Sequence, residues 1–249
     1  MKVERFHIEH LYQRYNNPAF IEHDPISVPH QFSEREDIEI SGFLTAIISW
    51  GTRPSIIKDA LRLMKMMDHE PADFIRNATE SEIRSLDSFY HRTFNGIDTI
   101  FFIRSLQNIY QNHGGLEACF SGKEDLKDGI VQFRNIFLET EHLPRSEKHL
   151  ADPSAGSGAK RILMFLRWMV RTDDHGVDFG LWKKIKPSRL YIPLDVHSGT
   201  AAREMGLLKR KVNDWKAVVE LTSVLRKFDP EDPVKYDFAL FGPMGKIII

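Results

Sequence analysis

Apolar residues recur at helical spacing along almost the whole chain, and no segment alternates apolar and polar as a half-buried strand does. In 36–49, Ile40, Phe43, Leu44, Ile47 and Ile48 share one helix face. Trp50-Gly51-Thr52-Arg53-Pro54 breaks that helix. Pro54 suits the first turn of the next, which sets Ile57, Ala60, Leu61 and Met64 on one stripe. Thr79 and Glu82 have the spacing of a capping box, for a helix reaching Tyr90. Further helices are expected over 98–112, stopped by Gly114-Gly115, and over 125–138. Gly129 weakens the latter by about 1 kcal/mol relative to Ala. The polar segment 139–159 reads as a loop. Helices follow at 160–171, 196–205, 214–227 and 233–241, with Gly206 ending the second and Asn213 as a cap for the third. The expected class is all-α.

Composition narrows the function classes. With 249 residues, 42% hydrophobic and 28% charged, the chain can bury a real core in one large domain or two small ones. No apolar run is long enough to span a membrane, so no membrane partner is expected. The opening MKVERFHIEH lacks the apolar stretch of a secretory signal, and the expected compartment is the cytoplasm. One cysteine, Cys119, excludes a four-cysteine iron–sulfur cluster and a cysteine zinc site. His7 and His10 could share a helix face, but on a polar helix they read as solvated, and neither a metal nor another cofactor is expected. The near-neutral total hides a split. Residues 160–227 hold 15 Lys and Arg against 7 Asp and Glu, leaving 19 basic and 28 acidic residues elsewhere. Such asymmetry fits a surface that meets a polyanion, or simply solvated lysine-rich helices.

Two constellations could carry chemistry. The first is Gly156-Ser157-Gly158-Ala159-Lys160, running straight into a helix. Glycines let backbone approach a phosphate, and a helix start adds its positive dipole end. The spacing is not that of a Walker A loop, and a flexible linker before an amphipathic helix is the plainer alternative. Helix geometry places Lys160, Arg167 and Arg171 within about 20° of one meridian, opposite Ile162, Phe165, Leu166 and Met169. The second constellation is Pro193-Leu194-Asp195-Val196-His197-Ser198. Asp195 stands at an N-cap position, where backbone N–H groups stabilise a carboxylate. A capping role alone would contribute about 1 kcal/mol. An amine and a carboxylate in a basic setting suit attack on a sugar C1′, the carboxylate stabilising the positive charge that develops. Attack requires the neutral amine, which desolvation or neighbouring cations favour; Arg161, Arg167 and Arg171 are the cations nearest in sequence.

Together these motifs resemble the helix-hairpin-helix DNA glycosylase superfamily. Gly156-Ser157-Gly158-Ala159-Lys160 is similar to the end of that family's hairpin, Leu-Pro-Gly-Val-Gly-x-Lys. Pro193-Leu194-Asp195-Val196-His197, with Arg203-Glu204-Met205-Gly206, is similar to its next motif. Phe43 to Thr52 resembles an early helix and pocket turn, and Phe89-Tyr90-His91-Arg92 lies where members carry a gap-filling loop. The resemblance spans 36–241, within a little-characterised bacterial branch. The 35-residue separation of Lys160 and Asp195 is nearest the archaeal 8-oxoguanine glycosylases. Departures are Ser154-Ala155 in place of Leu-Pro and Thr200 in place of an arginine. The resemblance implies two helical subdomains flanking a cleft, 36–171 and 1–35 with 190–249. It implies a base-excision glycosylase with lyase activity on double-stranded DNA, and an oxidised purine is the base that the spacing suggests. Lys160 would be the nucleophile and Asp195 its partner. DNA contacts would come from Gly156, Ser157, Gly158, Arg161, Arg167, Arg171, His197, Arg203, Lys209, Arg210 and Lys211. Trp50, Thr52, His91 and Arg92 would form the base pocket or wedge. The alternatives are a non-catalytic DNA-binding protein and a helical protein-interaction module; the oligomeric state is open. Asp237, in Tyr-Asp-Phe-Ala-Leu, is a candidate buried carboxylate with no assigned role.

Overall fold

The computed structural model describes residues 5–241, and among these the fold is all-α with one short hairpin. The apolar terminus Ile247–Ile249 lies outside the described residues. In chain order the helices begin with α1 (Arg5–Tyr15) and α2 (Ala19–Glu22). Next come α3 (Arg35–Ile47), α4 (Arg53–Met66), α5 (Pro71–Asn77) and α6 (Glu80–Ser85). Strands β1 (Tyr90–His91) and β2 (Phe94–Asn95) then pair antiparallel. The remaining helices are α7 (Gly96–Asn112), α8 (Leu116–Phe120), α9 (Leu126–Phe137), α10 (Lys160–Val170), α11 (Val196–Glu204), α12 (Trp215–Phe228) and α13 (Asp237–Phe241). No helix among the described residues is long and apolar enough to cross a membrane.

The chain divides into two compact units. One is continuous, 24–151; the other joins 1–23 to 152–249. The dividing line falls before the Lys160 helix, so 152–171, expected with the central subdomain, belongs with Asp195.

In the continuous unit, α3 is the buried axis, with every residue from Ile38 to Ile47 inside. Ser41, Gly42, Thr45 and Ala46 are the small residues among them. Phe43 packs on Phe102, Phe133 and Phe137, with centroids 5.5–6.2 Å apart. Such pairs add about 0.5–1.5 kcal/mol each beyond their burial. Thr79 and Glu82 close their expected capping box. Helix α7 opens with a second box, Asn95 with Asp98, two residues before the expected start at 98. The helix after Thr79 is shorter than the pattern suggested. It ends at Ser85, and a 3-10 turn at Leu86–Ser88 leads into the hairpin. Arg92 supplies the left-handed residue of that turn, φ +54°.

In the discontinuous unit, α10 is buried from Ile162 to Val170. The segment after it folds back: Phe179 N–H donates to Trp168 C=O at 2.8 Å, and Trp182 N–H to Met169 C=O at 2.9 Å. These bonds satisfy carbonyls that a helix end leaves open. Helices α1 and α11 both pack on α13.

Candidate active site

Lys160 is the first residue of α10, and Asp195 is the N-cap of α11. The fold brings them together: Lys160 Nζ lies 4.0 Å from Asp195 Oδ2, with 29% and 24% of their side chains exposed. The two oxygens of Asp195 divide the work. Oδ1 accepts from Ser198 N–H at 2.9 Å, while Asp195 N–H donates to Ser198 Oγ at 3.0 Å. The capping role is therefore real, and the second oxygen is directed at the amine. At 4.0 Å this is an ion pair without a hydrogen bond. A partly exposed pair of that kind contributes about 0–1 kcal/mol to stability, so stability alone is a weak reason for it.

A scaffold of side-chain and backbone hydrogen bonds surrounds the pair. Asn213 Nδ2 donates to Asp195 C=O at 2.7 Å. Arg203 donates to Asn213 Oδ1 at 2.5 Å and to Arg210 C=O at 2.8 Å. Trp215 N–H donates to Gly156 C=O at 3.0 Å, beside a bridge between Ser157 and Asp214. Gly158 lies so close that a Cβ would stand 3.0 Å from Asn213 C=O, and one on Gly199 would stand 2.7 Å from Asn213 Oδ1. Asn213 thus ties the Lys160 loop to the Asp195 cap. The α12 cap expected of it belongs to Asp214, which accepts from Ala217 N–H. The Asp214 carboxyl is pulled down to about 2, first by its bond from Arg210.

The helix that Lys160 begins also carries a buried charge network, from Arg167 and the C-cap Arg171. Arg167 reaches Asp237 Oδ2 at 2.5 Å and Asp178 Oδ1 at 3.2 Å. Arg171 reaches Asp178 at 3.0 Å, Asp232 at 2.8 Å, Asp173 at 2.5 Å and the Tyr12 hydroxyl at 2.8 Å. Burial works against the Arg171 charge, but Asp178, Asp232, Tyr12 and Asp173 outweigh it and its pKa rises. Burial pushes Asp237 up to about 6 against the pull of Arg167; Asp195 adds to the rise and Lys160 opposes it.

This network corrects part of the expected DNA surface. Arg167 and Arg171 are 3% and 0% exposed and matched by carboxylates, so they hold the fold rather than a phosphate, and their charge is not spare for Lys160. Arg161 is intermediate in exposure, and burial lowers its pKa to about 10. Arg203 is spent on Asn213, and Arg210 pairs with Asp214. The amides of Gly156 and Ser157 donate to Pro153 and Asp152 C=O, so they are not aimed at an anion. His197, Lys209 and Lys211 are exposed, as are Lys183, Lys184, Lys186 and Lys216.

The expected pocket residues belong to the continuous unit. Trp50 stacks on His149 with centroids 5.7 Å apart and meets His91 edge-on at 5.1 Å. His91 is fully buried, its Nδ1 2.7 Å from Asp59 Oδ2 and its Nε2 3.0 Å from Trp50 C=O. It is a structural strut and not a wedge, which needs an exposed side chain. Arg92 and Thr52 are exposed, and Tyr90 is 63% exposed. His7 and His10 are exposed on α1, and no group of three potential metal-binding side chains occurs among the described residues.

Asp237 is a buried carboxylate whose partner, Arg167, sequence reasoning missed. Its one signal was a carboxylate in the apolar run Tyr-Asp-Phe-Ala-Leu.

No curated protein and no solved structure matches the chain. A family model does match, over residues 24–245, with the description "Protein of unknown function (DUF2400)". That match overturns the assignment to the helix-hairpin-helix glycosylases, to which nothing in the comparisons points. The local structure agrees with the correction. The segment before Lys160 is a loop preceded by a 3-10 turn at Pro144–His149, where a helix-hairpin-helix needs an α-helix. With well over half its length under that one model, the chain belongs to the DUF2400 family.

Proposed function

We propose that this chain is a base-excision enzyme with lyase activity on damaged double-stranded DNA. The observation that carries the reading is the approach of Lys160 Nζ to 4.0 Å from Asp195 Oδ2 in a partly exposed setting. An amine poised beside a carboxylate is equipped to attack a sugar aldehyde. Lys160 Nζ adds to C1′ of an abasic sugar, and the resulting carbinolamine loses water to give an iminium. Asp195 stabilises that positive charge. Loss of a C2′ proton then expels the 3′ phosphate. Attack on an intact nucleoside forms the same nitrogen–carbon bond while the base departs. Reaching the sugar of a stacked nucleotide requires extrusion from the duplex. Exposed Lys209, Lys211 and Lys216 supply cations for the phosphates. A cytoplasmic location accompanies this reading.

The test is borohydride trapping on duplexes carrying 8-oxoguanine, uracil or an abasic site, with Lys160→Ala and Asp195→Asn alongside. A covalent adduct with the wild-type chain, absent in Lys160→Ala and strongly reduced in Asp195→Asn, is the expected result. An adduct that persists in Lys160→Ala, or wild-type chain as inert as that variant on every duplex, overturns the proposal. The same exposed lysines also favour a second reading, a DNA-binding protein without cleavage. Salt-dependent binding with no adduct would select it.

A further inference from the structure

In the continuous unit, the short hairpin packs on α4 and leaves one aromatic ring in solvent. Tyr90, on β1, is 63% exposed. The Arg62 guanidinium stands 4.7 Å from the centroid of that ring and 4.9 Å from that of Phe89, and it donates to Tyr90 C=O as well. A cation thus covers part of the tyrosine, and the rest of the ring is open.

The hairpin is anchored on both sides of its turn. Buried His91 reaches Asp59 Oδ2 at 2.7 Å and Trp50 C=O at 3.0 Å. Arg145 donates to Thr93 C=O at 3.1 Å and pairs with Asp98 at 3.2 Å. Phe89 and Phe94 are buried and meet edge-on. A ring presented from so fixed a base has little freedom left to lose when a ligand covers it.

The charge around it has one sign. The unit as a whole is acidic, with 14 Lys and Arg against 20 Asp and Glu. Segments 51–66 and 90–95 reverse that balance: Arg53, Lys58, Arg62, Lys65 and Arg92 stand against Asp59. Asp59 is itself held by His91 and Arg62. Helix geometry sets Lys58 and Lys65 about one turn to either side of Arg62, within about 60° of one another's meridian. Arg92 crosses the Trp50–Pro54 turn, and a Cβ on Gly51 would stand 3.3 Å from its Cδ. Lys58, Lys65 and Arg92 are exposed, and among the described residues no carboxylate pairs with them.

We propose that this surface binds single-stranded nucleic acid: the Tyr90 ring stacks on an unpaired base, and Arg92, Lys58 and Lys65 take the flanking phosphates. Aromatic stacking needs an uncovered base face, which a single strand offers and a stacked duplex does not. The cations supply the attraction to the backbone. The inference does not rest on the lyase reading, because it uses no part of the Lys160 pair.

The test measures binding of the full chain to fluorescein-labelled oligothymidylate by anisotropy. A base-free strand of abasic spacers of equal length carries the same charge without the stacking faces. Wild type is expected to bind oligothymidylate more tightly than the base-free strand. Tyr90→Ala should weaken oligothymidylate binding by roughly five- to a hundredfold, leave the base-free strand unchanged, and be rescued by Tyr90→Phe. Arg92→Ala should weaken both strands and flatten the logarithmic salt dependence by about 0.7. Ultraviolet cross-linking of a 5-iodouracil strand, mapped by peptide mass spectrometry, should place the adduct on Tyr90. Unchanged affinity in Tyr90→Ala, an equal loss on the base-free strand, or cross-links that miss Tyr90 overturns the proposal. Binding with a Tyr90 adduct but no borohydride-trapped product would leave it standing while the lyase reading fails.

Discussion

Arg167 shows how one side chain can look like a ligand contact and prove to be a strut. Its place on the Lys160 meridian suggested a solvent-facing basic stripe. In the fold that meridian runs inward, and the guanidinium bridges Asp178 and Asp237. Helical projection gives an angle but not what lies opposite it, so this burial was not legible in the sequence. Removing one partner from a buried pair leaves charge unmatched, which typically costs about 3–5 kcal/mol. Arg167→Ala is expected to lose stability of that order, measured by urea unfolding. Asp237 adds a pH dependence of known sign. Its folded pKa of about 6 lies above the ordinary 3.8, so its contribution is full below pH 4 and lost as pH rises through 6. Comparing unfolding free energies at pH 4 and 7 should give a smaller loss for Asp237→Asn than for wild type. Equal losses would show that Asp237 titrates normally.

Among the helices, capping signals were the most reliable guide, because a cap is a local bond between near neighbours in sequence. Thr79 with Glu82, and Pro54 in the first turn of α4, were readable for that reason. The hairpin at 90–95 was not, since two-residue strands carry no periodicity. Gly129 was misjudged in a different way. Propensity treats it as a weakness in α9, worth about 1 kcal/mol. The packed structure makes it a requirement, because a Cβ there would stand 2.4 Å from Phe120 C=O, a backbone atom on α8. Gly129→Ala is thus expected to lower stability by about 1–3 kcal/mol, where propensity alone expects a gain. A thermal melt separates the two, since a raised Tm would mean that α8 can yield.

At the scale of the whole molecule, the chain leaves one unit and returns to it. Residues 24–151 carry their own aromatic core around α3. A fragment of those residues is expected to melt cooperatively with helical circular dichroism; a non-cooperative melt would show that its core is incomplete. The other unit needs 1–23, because Tyr12 and Asn16 bond into the Arg171 network through its hydroxyl contact and Asp173. The all-α class and the course of the longer helices were determined by the sequence alone. Periodicity, capping and residue chemistry act over a few positions, and a linear text preserves them. Only the tertiary structure decided which cations are spent inside, that Lys160 and Asp195 share one unit, and that Asp237 is buried against Arg167. Those facts depend on contacts between residues tens of positions apart, and burial, which decides whether a charge is a ligand or a strut, belongs to the packed chain.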